Sequence, residues 1–113
     1  NPYARALLLG ELSDAPPPPE AKDIRLVHAD AAACLEREPA GSFDGFALSN
    51  VLDGAGAAYE RRLIAAVKRA AAPDAVTVFR SFREARINLP TNRAAEDRAM
   101  LWGIVDVRPA DTL

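Results

Sequence analysis

Short, unbroken apolar runs alternate with helix-forming stretches along this chain, and that alternation leaves few folds open. Ile24-Arg25-Leu26-Val27-His28, residues 43–48 (FDGFAL), residues 75–82 (AVTVFRSF) and residues 104–107 (IVDV) have strand character. Between and around them lie helix formers: residues 3–9, 31–38, 59–72 and 93–101. In residues 59–72, Leu63, Ile64 and Val67 line one face while Glu60, Arg61, Arg62, Lys68 and Arg69 fall mostly on others. Gly10, Pro39 and Pro73-Asp74 punctuate the helical stretches, and Thr91 or Asn92 can cap the last one. Pro16 to Pro19 form a stiff run without backbone donors, which fits a surface connection. Strands alternating with helices predict an α/β fold, a parallel sheet with helices on both faces. Apolar runs that do not alternate with polar residues fit strands buried on both sides.

Composition narrows the classes further. A chain of 113 residues is one domain at most. A formal net charge of −2 gives no cationic excess for gripping a nucleic-acid backbone. No apolar run reaches the ~20 residues that span a bilayer. One cysteine, Cys34, and one histidine, His28, exclude an internal disulfide and any multi-Cys or multi-His metal centre. That usage, and the absence of a leader pattern, fit a cytoplasmic protein. The opening Asn1-Pro2-Tyr3 reads as the continuation of something longer. No G-x-G-x-x-G follows a strand, and neither a phosphate-binding G-x-x-x-x-G-K-[ST] nor a G-x-S-x-G elbow occurs.

In open parallel sheets, ligands bind beyond the carboxyl ends of the strands. Three such ends are polar here: His28-Ala29-Asp30, Ser49-Asn50-Val51-Leu52-Asp53 and Arg80-Ser81-Phe82-Arg83. Asp30 can accept from an exocyclic amine such as that of adenine, or cap the helix that follows. Ser49 and Asn50 offer short donors and acceptors, or simple turn chemistry. Asp53 can act as a general base, or belong with Gly54 to a turn. Arg80 ends a buried strand, so its guanidinium requires a carboxylate from the protein or from a ligand. His28 reads as a core histidine or as a second base. Cys34 reads as a small apolar filler, and Met100 and Trp102 as core.

The segment Phe43-Asp44-Gly45-Phe46-Ala47-Leu48-Ser49-Asn50-Val51-Leu52-Asp53 resembles the fourth motif of S-adenosylmethionine-dependent enzymes with the class I methyltransferase fold, a Rossmann-like architecture. Within that class, Leu48-Ser49-Asn50-Val51-Leu52-Asp53 is similar to the betaine-lipid synthase family, the S-adenosylmethionine:diacylglycerol 3-amino-3-carboxypropyltransferases. Other pieces fall in the same order: Asn1-Pro2-Tyr3 with Leu8-Leu9-Gly10, Val27-His28-Ala29-Asp30, Ala72-Pro73-Asp74-Ala75 followed by Val78-Phe79-Arg80-Ser81, and Asp97-Arg98 with Trp102-Gly103. The family's first strand, its glycine-rich loop and the acidic residue after its second strand have no counterpart. The resemblance therefore implies that residues 1–113 are the C-terminal part of one such domain.

It further implies S-adenosyl-L-methionine as cofactor, bound by Asp30, Ala31, Ser49 and Asn50. Asp53 and His28 become the catalytic candidates and Arg80 the substrate-binding one, with no metal. The implied reaction is transfer of an aminocarboxypropyl or methyl group to a small-molecule or lipid hydroxyl, and a lipid acceptor would put the protein at the membrane periphery. The residues also leave open a non-catalytic α/β interaction module, a homo-oligomer joined through sheet edges.

Overall fold

The computed structural model describes residues 8–10, 19, 23–84 and 90–113. Most of the residue 3–9 helix and most of the proline run lie outside the described residues. Leu8 and Leu9 are helical, and Gly10 follows in the left-handed region at φ +67°.

The described elements are α1 (Ala31–Arg37), β1 (Phe43–Ser49), α2 (Ala57–Ala70), β2 (Ala71–Ser81) and β3 (Ile104–Pro109). Two 3₁₀ turns, Ala94–Glu96 and Ala110–Thr112, complete them. The sheet has the order β1-β2-β3. β1 and β2 run parallel, joined by α2 as a crossover, whereas β3 returns antiparallel to β2. The sheet is thus mixed, and the expectation of a wholly parallel sheet is corrected by its last strand.

A period of two decides which side chains meet the helices. Phe46, Leu48 and Phe79 pack on a core of Ala32, Leu52, Leu63, Val67, Ala75 and Ala110. On the other face Gly45, Ala47 and Val76 are exposed. Ala32 and Leu35 of α1 and Leu63 and Val67 of α2 all belong to this core, so these two helices lie on one face of the sheet. Leu63 and Val67 are the largest apolar side chains that are fully buried. Alanine fills much of the rest, which lets α1 and α2 approach closely.

α1 begins where Asp30 caps it, its Oδ1 accepting from the Ala33 N–H at 2.7 Å. It is seven residues long and rests on α2. Arg69 of α2 donates to the carbonyls of Leu35 and Glu38 at 2.5 and 2.6 Å, satisfying the open end of α1. Arg62 clamps Glu36 through two parallel bonds of 2.7 and 2.6 Å.

Three sequence expectations are revised. Residues 24–28 form no strand: Leu26 is 91% exposed, and β propensity without a neighbouring strand does not produce one. Their His28 is exposed rather than a core residue. The helix expected over residues 93–101 shrinks to the turn Ala94–Glu96. Asn92 Oδ1 accepts from both Ala94 N and Val105 N, and Arg93 N–H donates to the Val105 carbonyl, so the start of this segment is tied to β3, and its own bonds are short i to i+3 turns such as Glu96 N–H to the Arg93 carbonyl. Met100, expected in the core, is 75% exposed. Lastly, the helix expected over residues 59–72 runs over Ala57–Ala70, and the strand expected over 75–82 is Ala71–Ser81, with Pro73-Asp74 bulging out of it. Phe43 faces Ala71 while Gly45 faces Val76, and Asp74 takes φ +65°.

Candidate functional site

The carboxyl ends of β1 and β2 lie side by side, and chemistry-bearing residues gather there. Ser49 is the register partner of Arg80, and the Asn50 N–H donates to the Arg80 carbonyl at 2.8 Å. Asn50 then turns the chain out of the sheet in the left-handed region, φ +45°, which asparagine tolerates better than most residues. Asp53 N–H closes that turn on the Asn50 carbonyl at 3.1 Å.

Asp53 is occupied. Its Oδ1 accepts from Ser81 Oγ at 2.5 Å and Arg83 Nε at 3.2 Å, and its Oδ2 from the Phe82 N–H at 3.0 Å. Arg83 also donates through Nη2 to the Leu52 carbonyl, and Ser81 Oγ accepts from the Arg83 N–H. The Ser81 hydroxyl, then the Phe82 amide, hold the Asp53 carboxyl below its ordinary value, against a smaller opposing effect of burial. Such a carboxylate is a weak base, and its plain effect is to tie the β1 loop to the end of β2.

Asp30 stands at the same end of the sheet, since Tyr59 and Arg62 from the opening turns of α2 both interact with it. The Ala33 amide chiefly, with the Tyr59 hydroxyl and Arg62 adding to it, lowers the Asp30 carboxyl. Partial burial first, then the hydrogen bond to Asp30, raises Tyr59. Arg62 Nη1 lies 3.5 Å from Asp30 Oδ1. Asp30 is therefore a helix cap, the plainer of its two readings, and its carboxylate is also exposed. Ala31 follows as the first helical residue. His28 is exposed two residues upstream.

Arg80 is half-buried, and among the described residues no carboxylate lies within ion-pair distance of it. By contrast the other internal arginine of the sheet, Arg108, grips Asp106 Oδ2 through Nε at 2.6 Å and through Nη2. The requirement read from sequence, that Arg80 find a carboxylate, is left unmet by these residues.

Sequence reasoning passed over part of this rim. Trp102 stacks on Phe82 with ring centroids 4.6 Å apart, and Phe82 is 57% exposed, so this aromatic pair faces the rim. Tyr59, Ser81 and Arg83 organise the acidic groups. The signal for Ser81 and Arg83 was present in the run Arg80-Ser81-Phe82-Arg83, but their partner Asp53 is distant in sequence. Among the described residues no group of three His, Cys, Asp or Glu could hold a metal ion. None of their helices is long and apolar enough to cross a membrane.

No family model matches the chain, and no curated protein or solved structure is significantly similar to it.

Proposed function

We propose that this rim is the cofactor side of an S-adenosyl-L-methionine-dependent transferase site. One observation carries the reading: Ser49, Asn50 and the half-buried Arg80, which has no carboxylate in reach among the described residues, meet where parallel β1 and β2 end. A carboxylate-bearing, adenine-containing ligand fits that set. Arg80 would take the carboxylate of the aminocarboxypropyl portion or of the acceptor. Ser49 and Asn50 border the sulfonium, and Asp30 with the Ala31 amide takes the adenine edge. The parallel β1-α2-β2 unit supports the reading; the antiparallel β3 does not add to it.

Bound there, S-adenosyl-L-methionine would supply an electrophilic carbon beside its sulfonium for an acceptor hydroxyl to attack, with a neutral thioether as the leaving group. The hydroxyl proton passes to a base. His28, exposed two residues before Asp30, is the more available of the two candidates, because the Asp53 carboxylate is already saturated with donors. Asp53 acts by holding the loop that carries Ser49 and Asn50 against β2. Either the methyl or the aminocarboxypropyl carbon is open to this attack, and in-line placement selects between them.

Titration of ¹⁵N-labelled protein with S-adenosylhomocysteine tests the reading. Amide shifts should concentrate at Ala31, Ser49, Asn50 and Arg80, and Arg80→Met should abolish them. Affinity in the millimolar range is expected, since no glycine-rich loop in the chain adds its amides. Shifts confined to other surfaces, or none at saturating ligand, would refute the proposal.

A further inference from the structure

Among the described residues Asp106 of β3 is the one fully buried carboxylate, 2% exposed, and it is only half satisfied. It stands opposite Phe79 in the β2–β3 register, so its side chain rises on the face that carries the core. Arg108, two residues along the same strand, takes one of its oxygens: Nε and Nη2 both donate to Oδ2, the former at 2.6 Å. The other oxygen, Oδ1, is buried and accepts from no donor among the described residues. A buried carboxylate oxygen without a donor costs free energy, and a donor brought to it relieves that cost.

Asp106 also belongs to the wall of a hollow of 130 Å³ between the sheet and α2. Leu48 and Phe79 of the sheet and Leu63 and Ile64 of α2 make the hollow apolar. Three charged residues line it as well: Glu60 from the first turn of α2, Asp106 and Arg108. Their charges do not cancel. Arg108 is committed to Asp106 and, through Nη1, to the Thr112 carbonyl at 3.1 Å. No cation among the described residues pairs with Glu60. Two carboxylates against one guanidinium leave one surplus negative charge around an apolar space. Away from bulk water such a charge attracts a cation more strongly than an open surface does.

We infer that this hollow is a binding site for a small primary ammonium ion with an apolar tail. The head supplies three donors, enough for Asp106 Oδ1 and for the Glu60 carboxylate. The tail displaces water from the leucine, isoleucine and phenylalanine side chains. Size bounds the tail: a cavity of about 150 Å³ holds one benzene ring, so 130 Å³ admits roughly five or six heavy atoms. An anion of that size meets the surplus charge with the wrong sign, and an alcohol brings one donor without a charge. The inference is independent of the transferase reading, because Arg80 alternates with Phe79 along β2 and so belongs to the other face of the sheet.

Titration of the ¹⁵N-labelled chain with n-butylammonium chloride is the test, beside sodium butyrate and n-butanol at matched ionic strength. The amine should shift the amides of Leu63, Ile64, Phe79 and Asp106 to saturation. It should bind roughly tenfold or more tightly than the alcohol, the worth of one charge-assisted hydrogen bond. Butyrate should leave those amides in place. Glu60→Gln should weaken the amine toward the alcohol's affinity and leave the alcohol's own unchanged. Glu60 is half-buried at the start of a helix, so this variant keeps the test decisive where Asp106→Asn, which strips Arg108 of its partner, fails to fold. Ile64→Phe, which fills the hollow, should abolish binding of amine and alcohol alike. Absence of saturable shifts with the amine overturns the proposal, as does equal binding of amine and alcohol, or an amine affinity that Glu60→Gln does not change.

Discussion

Gly103 is the position where one methyl group should do the most damage. Its N–H donates to the Ser81 carbonyl at 3.1 Å, bringing the start of β3 against the residues that hold Asp53. A Cβ there would overlap the Arg83 carbonyl oxygen, stand 3.0 Å from its carbon and 3.4 Å from the Phe82 carbonyl oxygen. All three are backbone atoms, so no rotamer change relieves the overlap. The chain must move several tenths of an ångström, and forced overpacking of this kind costs about 1–3 kcal/mol. Gly56→Ala supplies the internal control. Its added Cβ meets nothing within 4 Å, and its φ of −75° suits alanine. As an N-cap without a side-chain bond it should change stability by no more than about 0.5 kcal/mol. Total stability for 113 residues is roughly 6–17 kcal/mol at about 0.05–0.15 kcal/mol per residue. Gly103→Ala should therefore remain folded but lose about 1 M of its urea midpoint. The assay is urea denaturation followed by Trp102 fluorescence. Equal midpoints for the two variants would refute the close approach of Gly103 to residues 82–83, and with it the described seating of β3 on the rim.

Leu63→Ala removes the largest fully buried side chain from a core otherwise rich in alanine, and should cost about 2–5 kcal/mol, measured by the same denaturation; Leu26→Ala, at a site 91% exposed, should cost less than about 0.5 kcal/mol. Acidification should destabilise the fold. Asp30, Glu36 and Asp53 have carboxyls lowered chiefly by the Ala33 amide, by Arg62 and by Ser81 respectively, so the native state binds fewer protons than the unfolded chain. The stabilisation they give is complete above their ordinary values of 3.8 to 4.5 and is lost as pH falls through the lowered ones. The urea midpoint should stay level down to about pH 5 and drop below pH 4, with a shallower drop in Asp53→Asn; a midpoint that rises on acidification would contradict the assigned bonds.

Local chemistry was legible in the sequence wherever one element decides its own conformation. Asp30 before an alanine-rich stretch reads as a cap and is one. The apolar stripe of Leu63, Ile64 and Val67 finds α2, and the β-branched run at 76–78 finds β2. Pairing was less legible, because a strand is defined by its neighbour. Residues 24–28 have the composition of a strand and none of the hydrogen bonds, while Ile104–Pro109 runs opposite to the sense expected of it. The helix expected over residues 93–101 gave way to a long-range bond set centred on Asn92, which nothing in the local sequence announces. At the rim, Ser49 and Asn50, named for their place at a strand end and for the motif they resemble, and Arg80, named for its buried charge, do come together. The engagement of Asp53 by Ser81 and Arg83 is not legible locally, since those partners are 28 and 30 residues away.

The way α1 is attached has a consequence for how signals could cross this domain. Seven residues are too few for a helix to persist in water by itself. α1 borrows its order from α2, with Tyr59 and Arg62 near its first turn and Arg69 closing its last. Amide exchange in α1 should accordingly follow the opening of α2. Anything that tilts α2, including an occupant pressing on its opening turns, would swing Asp30 along with it. The cap is then less a fixed fixture of the rim than a lever whose fulcrum is the neighbouring helix.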